Sequence, residues 1–203
     1  MTKTIEFFYS YMSPLSYLAV ENIYNMENKY DIEVLWQPFS AKACGRQVEG
    51  ASVNPDKLSY IIEEVERFTT ENNLPLNFPA NWPANDYDPT RITRGALIAN
   101  DMNILMEYNY KVFHKCWGLG EDPNTEHFLS ELTEELDIDT NEFITKISSS
   151  DTRNRVKGIY ERGQKFGVFD TPTFIVDGKR LYGVDKIYYL NELFEKEGLR
   201  KKK

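Results

Sequence analysis

The residues with the clearest chemical potential lie in one tetrapeptide, Ser13-Pro14-Leu15-Ser16. The apolar and aromatic run Ile5–Tyr9 precedes it and predicts a buried strand. Ser13 suits a helix N-cap and Pro14 suits the first helical position, so the strand is predicted to lead into a helix. Unpaired N–H groups and the helix dipole favour negative charge at this point, where a thiolate would be stabilised. A Ser-Pro pair is also common for capping alone, and the tetrapeptide by itself does not separate these roles.

A serine hydroxyl is a poor nucleophile unless a base activates it. The sequence has 2 histidines, His114 and His127, and both fall in the predicted helical middle of the chain, with no sequence reason to meet Ser13. A Ser-His hydrolase is therefore disfavoured. A hydroxyl can instead donate a hydrogen bond to a neighbouring sulfur and favour thiolate over thiol, and that sulfur has to come from elsewhere.

The C-terminal quarter of the chain predicts a hairpin and a closing helix. Asp177-Gly178 is a strong two-residue hairpin signal between apolar runs. Pro172 stands at the start of the first of these strands, where a proline that follows Thr171 could be cis. Helical spacing then runs over residues 185–194. With strand, helix and strand at the front, the element order is that of an α/β thioredoxin-like fold with a large insertion.

The middle of the chain, from about residue 41 to residue 151, is predicted to be mostly helical. Prolines interrupt residues 75–89, and the spacing of apolar residues predicts four helices, one that begins after Asn54-Pro55 and others over 91–110, 125–136 and 140–148. We therefore divide the chain into a thioredoxin-like domain of residues 1–40 and 156–203 and a helical insertion of residues 41–155. The insertion is expected to cover one side of the Ser13 site.

Composition excludes several function classes. The formal net charge of -8 over 203 residues argues against nucleic-acid binding. Neither a signal-peptide pattern nor a membrane-spanning stretch is visible, so no membrane partner is expected. Cys44 and Cys116 form neither a Cys-x-x-Cys nor a zinc pattern, so we expect no metal site and a reducing, cytoplasmic setting.

Two segments at the ends of the chain, residues 7–19 and 167–185, resemble the 2-hydroxychromene-2-carboxylate isomerases and kappa-class glutathione transferases. Both are glutathione-dependent members of the DsbA-like group. Shorter matching pieces, residues 60–68, 74–82 and 112–118, extend the resemblance over nearly the whole chain. Serines replace both sulfurs of the redox Cys-x-x-Cys, which points away from disulfide exchange and toward a bound thiol as cofactor.

The resemblance implies a role for several single residues. Ser13 would hydrogen-bond the thiol of glutathione, and Thr171, before Pro172, would pair its backbone with the cysteinyl part. Asp185 would help to hold the γ-glutamyl end, or would simply cap the last helix. Lys42 and Asn54 stand near family site positions, with a spacing that differs by a few residues.

Two tryptophans and two polar stretches bear on the substrate. Trp82 and Trp117 are predicted either to line a flat aromatic substrate pocket or to belong to the core. The sequence departs from the family pattern at 169–171, with a charged residue and a threonine, and at the acidic residues 85–88. These departures bear on the choice of substrate and not on the glutathione site.

Our leading hypothesis is a glutathione-dependent isomerase or transferase that acts on a small electrophilic, aromatic-derived substrate. A cysteine-less DsbA-like scaffold that binds a peptide or protein partner is the alternative, and a residual disulfide oxidoreductase is the third. The resemblance also implies a homodimer.

Overall fold

The structure is a computed structural model that describes residues 2–45, 55–83 and 88–201. It combines a small sheet with helices on both of its faces. The strands are β1 (Lys3–Tyr9), β2 (Ile32–Pro38), β3 (Thr173–Val176) and β4 (Lys179–Tyr182). The helices are α1 (Pro14–Lys29), α2 (Pro55–Asn72), α3 (Thr90–Asp101), α4 (Leu105–Phe113), α5 (Glu126–Glu135), α6 (Thr140–Ser148), α7 (Ser150–Lys165) and α8 (Lys186–Lys196), with a 3-10 turn at Lys42–Cys44 and a π-helical turn at His114–Gly118.

The sheet has the strand order β2-β1-β3-β4. β1 runs parallel to β2 and antiparallel to β3, and β3 pairs antiparallel with β4. Asp177 (φ 50°) and Gly178 (φ 73°) connect β3 to β4 in the left-handed conformation that a two-residue hairpin requires. The predicted α/β thioredoxin-like fold with a helical insertion is confirmed.

The central strand β1 separates two apolar layers. Its odd-numbered residues Ile5, Phe7 and Tyr9 are fully buried in the large core with α1, α8 and the helices of the insertion. Phe8 points to the opposite face, where it packs with Val168 beneath α7. The carboxyl end of β1, from which the Ser13 turn departs, is therefore anchored on both sides.

Two helical expectations need correction. Residues 91–110 form two helices rather than one, because Asn103 adopts a left-handed conformation (φ 60°) that reverses the chain between α3 and α4. Helix α7 was not predicted, since only Thr152, Val156 and Gly163 of its residues are buried and the apolar stripe is too sparse to show. It spans the boundary placed between residues 155 and 156, so that division of the chain stays a prediction.

The approach of α7 to the sheet depends on Gly163. A Cβ atom at this residue would lie 2.5 Å from Phe39 and 3.2 Å from Phe8. We expect Gly163→Ala to lower the free energy of unfolding by about 1–3 kcal/mol, because aromatic rings on the sheet must move. Gly158 on the same helix has no atom within 4 Å of such a Cβ, so Gly158→Ala should stabilise the protein by about 0.5–1 kcal/mol. Urea unfolding measures both, and equal effects would contradict the packing argument.

Candidate active site

The Ser13 side chain links the start of α1 to the loop before β3. Its Oγ accepts a hydrogen bond from the Ser16 backbone N–H (3.2 Å), as expected of an N-cap. The same hydroxyl donates to the carbonyl oxygen of Thr171 at 2.9 Å. The Thr171-Pro172 peptide bond is cis, as the sequence allowed. The fold thus brings together two predicted site residues that are 158 positions apart.

Residues of the insertion hold the turn that leads to Ser13. The buried indole N–H of Trp117 donates to the carbonyl oxygen of Tyr11 at 3.1 Å. The indole N–H of Trp82 donates to the carbonyl oxygen of Met12 at 3.2 Å. The Tyr11 hydroxyl, for its part, donates to the side chain of Asn109 in α4. The insertion therefore fixes both the backbone and a side chain of the turn at residues 11–12. This fixes the position of the Ser13 hydroxyl, which follows the turn.

A cleft of ≈ 430 Å³ opens beside Ser13. It lies between the start of α1, the 3-10 turn, α2 and the loop before β3. Its lining includes Ser13, Lys42, Lys57, Trp82, Phe169 and Thr171. Hydroxyl, backbone and cationic groups thus meet apolar rings in one concave surface, which is the usual composition of a small-molecule site.

Asp170 organises the polar part of this cleft. One oxygen of its carboxylate accepts the Thr171 backbone N–H at 2.8 Å. The other accepts from Lys57 Nζ at 2.9 Å and from the Tyr182 hydroxyl at 3.1 Å. Burial, and secondly the Asp170 charge, raise the pKa of Tyr182 far above its usual range, so this hydroxyl remains a donor. Both backbone groups of Thr171 are therefore engaged within the chain, the N–H by Asp170 and the carbonyl by Ser13.

The other predicted site residues differ in where they lie. Lys42 and Trp82 line the cleft. Trp117 is fully buried in the core and does not line the cleft. Asn54 and residues 85–87 lie outside the described residues.

Asp185 does not line the cleft, although its charge helps to raise the pKa of Tyr182, whose hydroxyl donates to Asp170. Its side chain is 70% exposed and pairs with Lys186. The residue precedes α8, yet its side chain makes no capping hydrogen bond, so the alternative role of a simple N-cap is not realised either.

The histidines lie away from Ser13, as expected. The His114 ring stacks on Tyr110 with a centroid separation of 6.1 Å, and His127 Nε2 lies 3.1 Å from Glu131. Neither histidine lines the cleft, so neither can serve there as a general base. Cys44 and Cys116 are not joined in a disulfide.

Residues 2–45, 55–83 and 88–201 contain neither a metal-binding cluster nor a membrane-spanning helix. No cluster of histidine, cysteine and carboxylate side chains there could hold a metal ion. No helix in those ranges has the length and apolarity that a bilayer crossing requires.

Sequence reasoning missed Lys57 and the pair of Asp170 with Tyr182. Asp170 departs from the family pattern, and a charge directly before Thr171 is the signal in the sequence that points to it. Lys57 precedes Leu58, the first residue of the apolar stripe of α2, and this placement at the edge of an amphipathic face gave the available hint. Its contact with a residue 113 positions later could not be read from spacing.

Comparisons with known proteins find relatives that match nearly the whole chain. The chain is 23% identical over 196 residues to the 2-hydroxychromene-2-carboxylate isomerase of Sphingobium xenophagum, across 94% of this chain and 97% of that protein. It is 22% identical over 213 residues to glutathione S-transferase kappa 1 of Homo sapiens, across 95% and 91% of the two chains. A solved 2-hydroxychromene-2-carboxylate isomerase structure matches with a TM-score of 0.81 and 22% identity, and the match covers 96% of each chain.

The family model of the DSBA-like thioredoxin domain matches residues 4–195, which is nearly the whole chain. The matched region begins at the second residue of β1, ends at the penultimate residue of α8 and includes the entire insertion. The chain therefore belongs to the DsbA-like thioredoxin domain family.

Proposed function

We propose that this protein is a glutathione-dependent isomerase or transferase that acts on a small electrophilic substrate, with Ser13 stabilising the glutathione thiolate. The observation that carries the proposal is the position of the Ser13 hydroxyl, at the start of α1, in a cleft and 2.9 Å from the Thr171 carbonyl. The relatives named as an isomerase and as a glutathione transferase support the same class of chemistry.

The cleft suits glutathione in size and in chemistry. Its ≈ 430 Å³ falls in the range of about 300–1,000 Å³ that small-ligand sites occupy. Glutathione carries two carboxylates, and the cleft lining includes two cationic side chains, Lys42 and Lys57. The Ser13 hydroxyl would face the sulfur, and the Thr171 carbonyl, which Ser13 then releases, would serve the cysteinyl part, while the Thr171 N–H stays bound to Asp170.

When bound, glutathione supplies a sulfur nucleophile that adds to an electrophilic unsaturated substrate, and either leaves again after a bond has rotated or departs within the product. The chain's own contribution is to keep that sulfur ionised. Ser13 would exchange the Thr171 carbonyl for the sulfur as acceptor of its hydrogen bond. A hydrogen bond to a charged group contributes about 1.5–3 kcal/mol, and the N-terminus of α1 adds a favourable potential.

Two further parts of the proposal concern the setting. We place the protein in a reducing, cytoplasmic compartment, which is consistent with Cys44 and Cys116 not being joined in a disulfide. The homodimer implied by the resemblance stays a prediction.

Calorimetric titration of reduced glutathione into the protein tests the proposed function. We expect saturable binding at millimolar concentration or below, together with thiolate absorbance in the ultraviolet near neutral pH. Oxidised glutathione is the control, since it has no free thiol for Ser13 and should give no thiolate signal. Absence of binding at millimolar glutathione would overturn the enzyme proposal and favour the cysteine-less scaffold. Robust reduction of insulin disulfides would instead favour an oxidoreductase.

A further inference from the structure

A second concave surface, larger than the Ser13 cleft, lies between α1 and α4. This groove has a volume of ≈ 1320 Å³, against ≈ 430 Å³ for the Ser13 cleft, and the two share no lining residue. The end of α2, residues 73–75 and the turn between α3 and α4 also contribute to its lining. Small-ligand sites occupy about 300–1,000 Å³, so the groove has room for such a ligand.

The two flanking helices present the same kinds of side chain to the groove. Each contributes a carboxylate and at least one tyrosine, spaced by three or four residues along one helical face: Tyr17, Glu21 and Tyr24 on α1, and Glu107, Tyr110 and His114 on α4. Tyr24 is 42% exposed and Tyr110 is 67% exposed. Each wall therefore offers an anion beside an accessible aromatic ring.

Neighbouring groups hold these rings in place. Tyr17 stacks on Phe113 of α4 at a centroid distance of 6.3 Å, and its hydroxyl donates to the carbonyl oxygen of Pro75 at 2.9 Å. Tyr110 stacks on His114, with their ring planes 4° apart. The aromatic faces of the groove are therefore set before a ligand arrives, which lowers the entropic cost of binding one.

The charge of the groove is negative and is not compensated locally. Glu21 and Glu107 line it, and none of the other described lining residues is a lysine or an arginine. Lys111, one turn after Glu107 on α4, pairs with Glu135 of α5 instead (3.2 Å). A cleft lined by one sign of charge concentrates ions of the opposite sign, so this groove favours a cation.

The titration of Tyr17 reports the same potential. Burial, and after it the proximity of Tyr110 and Glu21, raise the pKa of Tyr17 to about 12. Surroundings that disfavour a phenolate favour a positive charge. Within the described residues no cluster of ligands could hold a metal ion, whereas the faces of aromatic rings attract organic cations.

We infer that the groove between α1 and α4 is a binding site for a small organic cation, an ammonium group carried on an apolar or aromatic body. Glu21 and Glu107 supply the opposite charge, and the rings of Tyr17, Tyr24 and Tyr110 supply faces for the ammonium group and for its apolar body. The site goes beyond the proposed function and does not depend on it, since it lies outside the Ser13 cleft.

Titration of benzyltrimethylammonium, followed by two-dimensional NMR of the backbone amides, tests this inference. We expect saturable shifts at residues of α1 and α4, and an affinity that weakens as salt is added. Benzylsulfonate, which has a similar size and the opposite charge, should give no saturable shifts there. Glu21→Gln and Glu107→Gln should each weaken binding of the cation by about 2- to 5-fold. Tyr110→Leu should weaken it by a similar factor, because the ring is lost and the apolar bulk is kept.

Glu33→Gln is the matched control, because Glu33 is exposed on β2 and does not line the groove. It changes the net charge equally and should leave the affinity unaltered. Equal losses in Glu33→Gln and Glu21→Gln, or equal binding of benzylsulfonate, would overturn the site. Displacement of the cation by glutathione would place it in the Ser13 cleft and would overturn the site too. Absence of cation binding, with self-association that weakens in Tyr110→Leu on sedimentation, would assign the groove to a second copy of the chain instead.

Discussion

Replacing Ser13 by alanine is expected to raise the pKa of the bound glutathione thiol by about 1–2, because the variant loses a hydrogen bond that favours the thiolate. The reaction needs the ionised form. Activity near neutral pH should therefore fall by about 10- to 100-fold, and it should recover as the pH rises through the raised pKa. Thiolate absorbance of the complex as a function of pH, together with the pH profile of turnover, measures both effects.

Two other variants separate this effect from a general disturbance of the helix start. Ser16→Ala removes the other hydroxyl of the tetrapeptide, a buried group that accepts the Ser10 N–H at 3.3 Å, and it should leave the thiol pKa unchanged. Ser13→Thr keeps a hydroxyl and a capping residue and should restore most of the ionisation. An unaltered thiol pKa in Ser13→Ala would remove Ser13 from the mechanism. Loss of the N-cap alone costs about 1 kcal/mol of stability, which urea unfolding measures independently.

Truncation of Trp117 should produce the largest loss of stability. Its side chain is fully buried, so Trp117→Ala is expected to lower the free energy of unfolding by about 3–5 kcal/mol. Trp117→Phe keeps much of the packing but leaves the buried Tyr11 carbonyl without its donor, which costs about 1–3 kcal/mol. Urea unfolding monitored by circular dichroism measures both losses.

Trp82 offers the matched comparison. It makes the equivalent hydrogen bond to the carbonyl of Met12, but it is only partly buried and lines the cleft. Trp82→Phe should therefore cost less stability than Trp117→Phe and should affect glutathione affinity more. If Trp117→Phe instead affected glutathione affinity more and Trp82→Phe affected stability more, Trp117 would have to be assigned to the substrate pocket.

The sequence predicted best those elements that local chemistry controls. Ser13-Pro14 marks the start of α1 and Asp177-Gly178 marks the hairpin, because capping and left-handed turns need particular residues at particular positions. The break at Asn103 was not predicted because a single left-handed asparagine gives a weak pattern. Helix α7 was not predicted because its apolar stripe is sparse.

The candidate site was only partly predictable, for a different reason. Ser13 and Thr171 could be paired beforehand through a resemblance, and the fold does join them. The same resemblance pointed to Asp185, whose exposed side chain does not line the cleft, and its role toward a ligand stays a prediction. The contact of Lys57 with Asp170 depends on how the insertion sits against the C-terminal loop, and the packing of distant segments leaves no local trace in the sequence.

The hydrogen bonds that Trp82 and Trp117 donate to the Ser13 turn make the geometry of the site depend on two parts of the chain. These donors belong to the insertion, whereas their acceptors, the carbonyls of Tyr11 and Met12, belong to the thioredoxin-like framework. Neither part carries the complete geometry alone. A chimera that received the insertion of a relative without matching donors is therefore expected to keep its sheet but lose the placement of its serine.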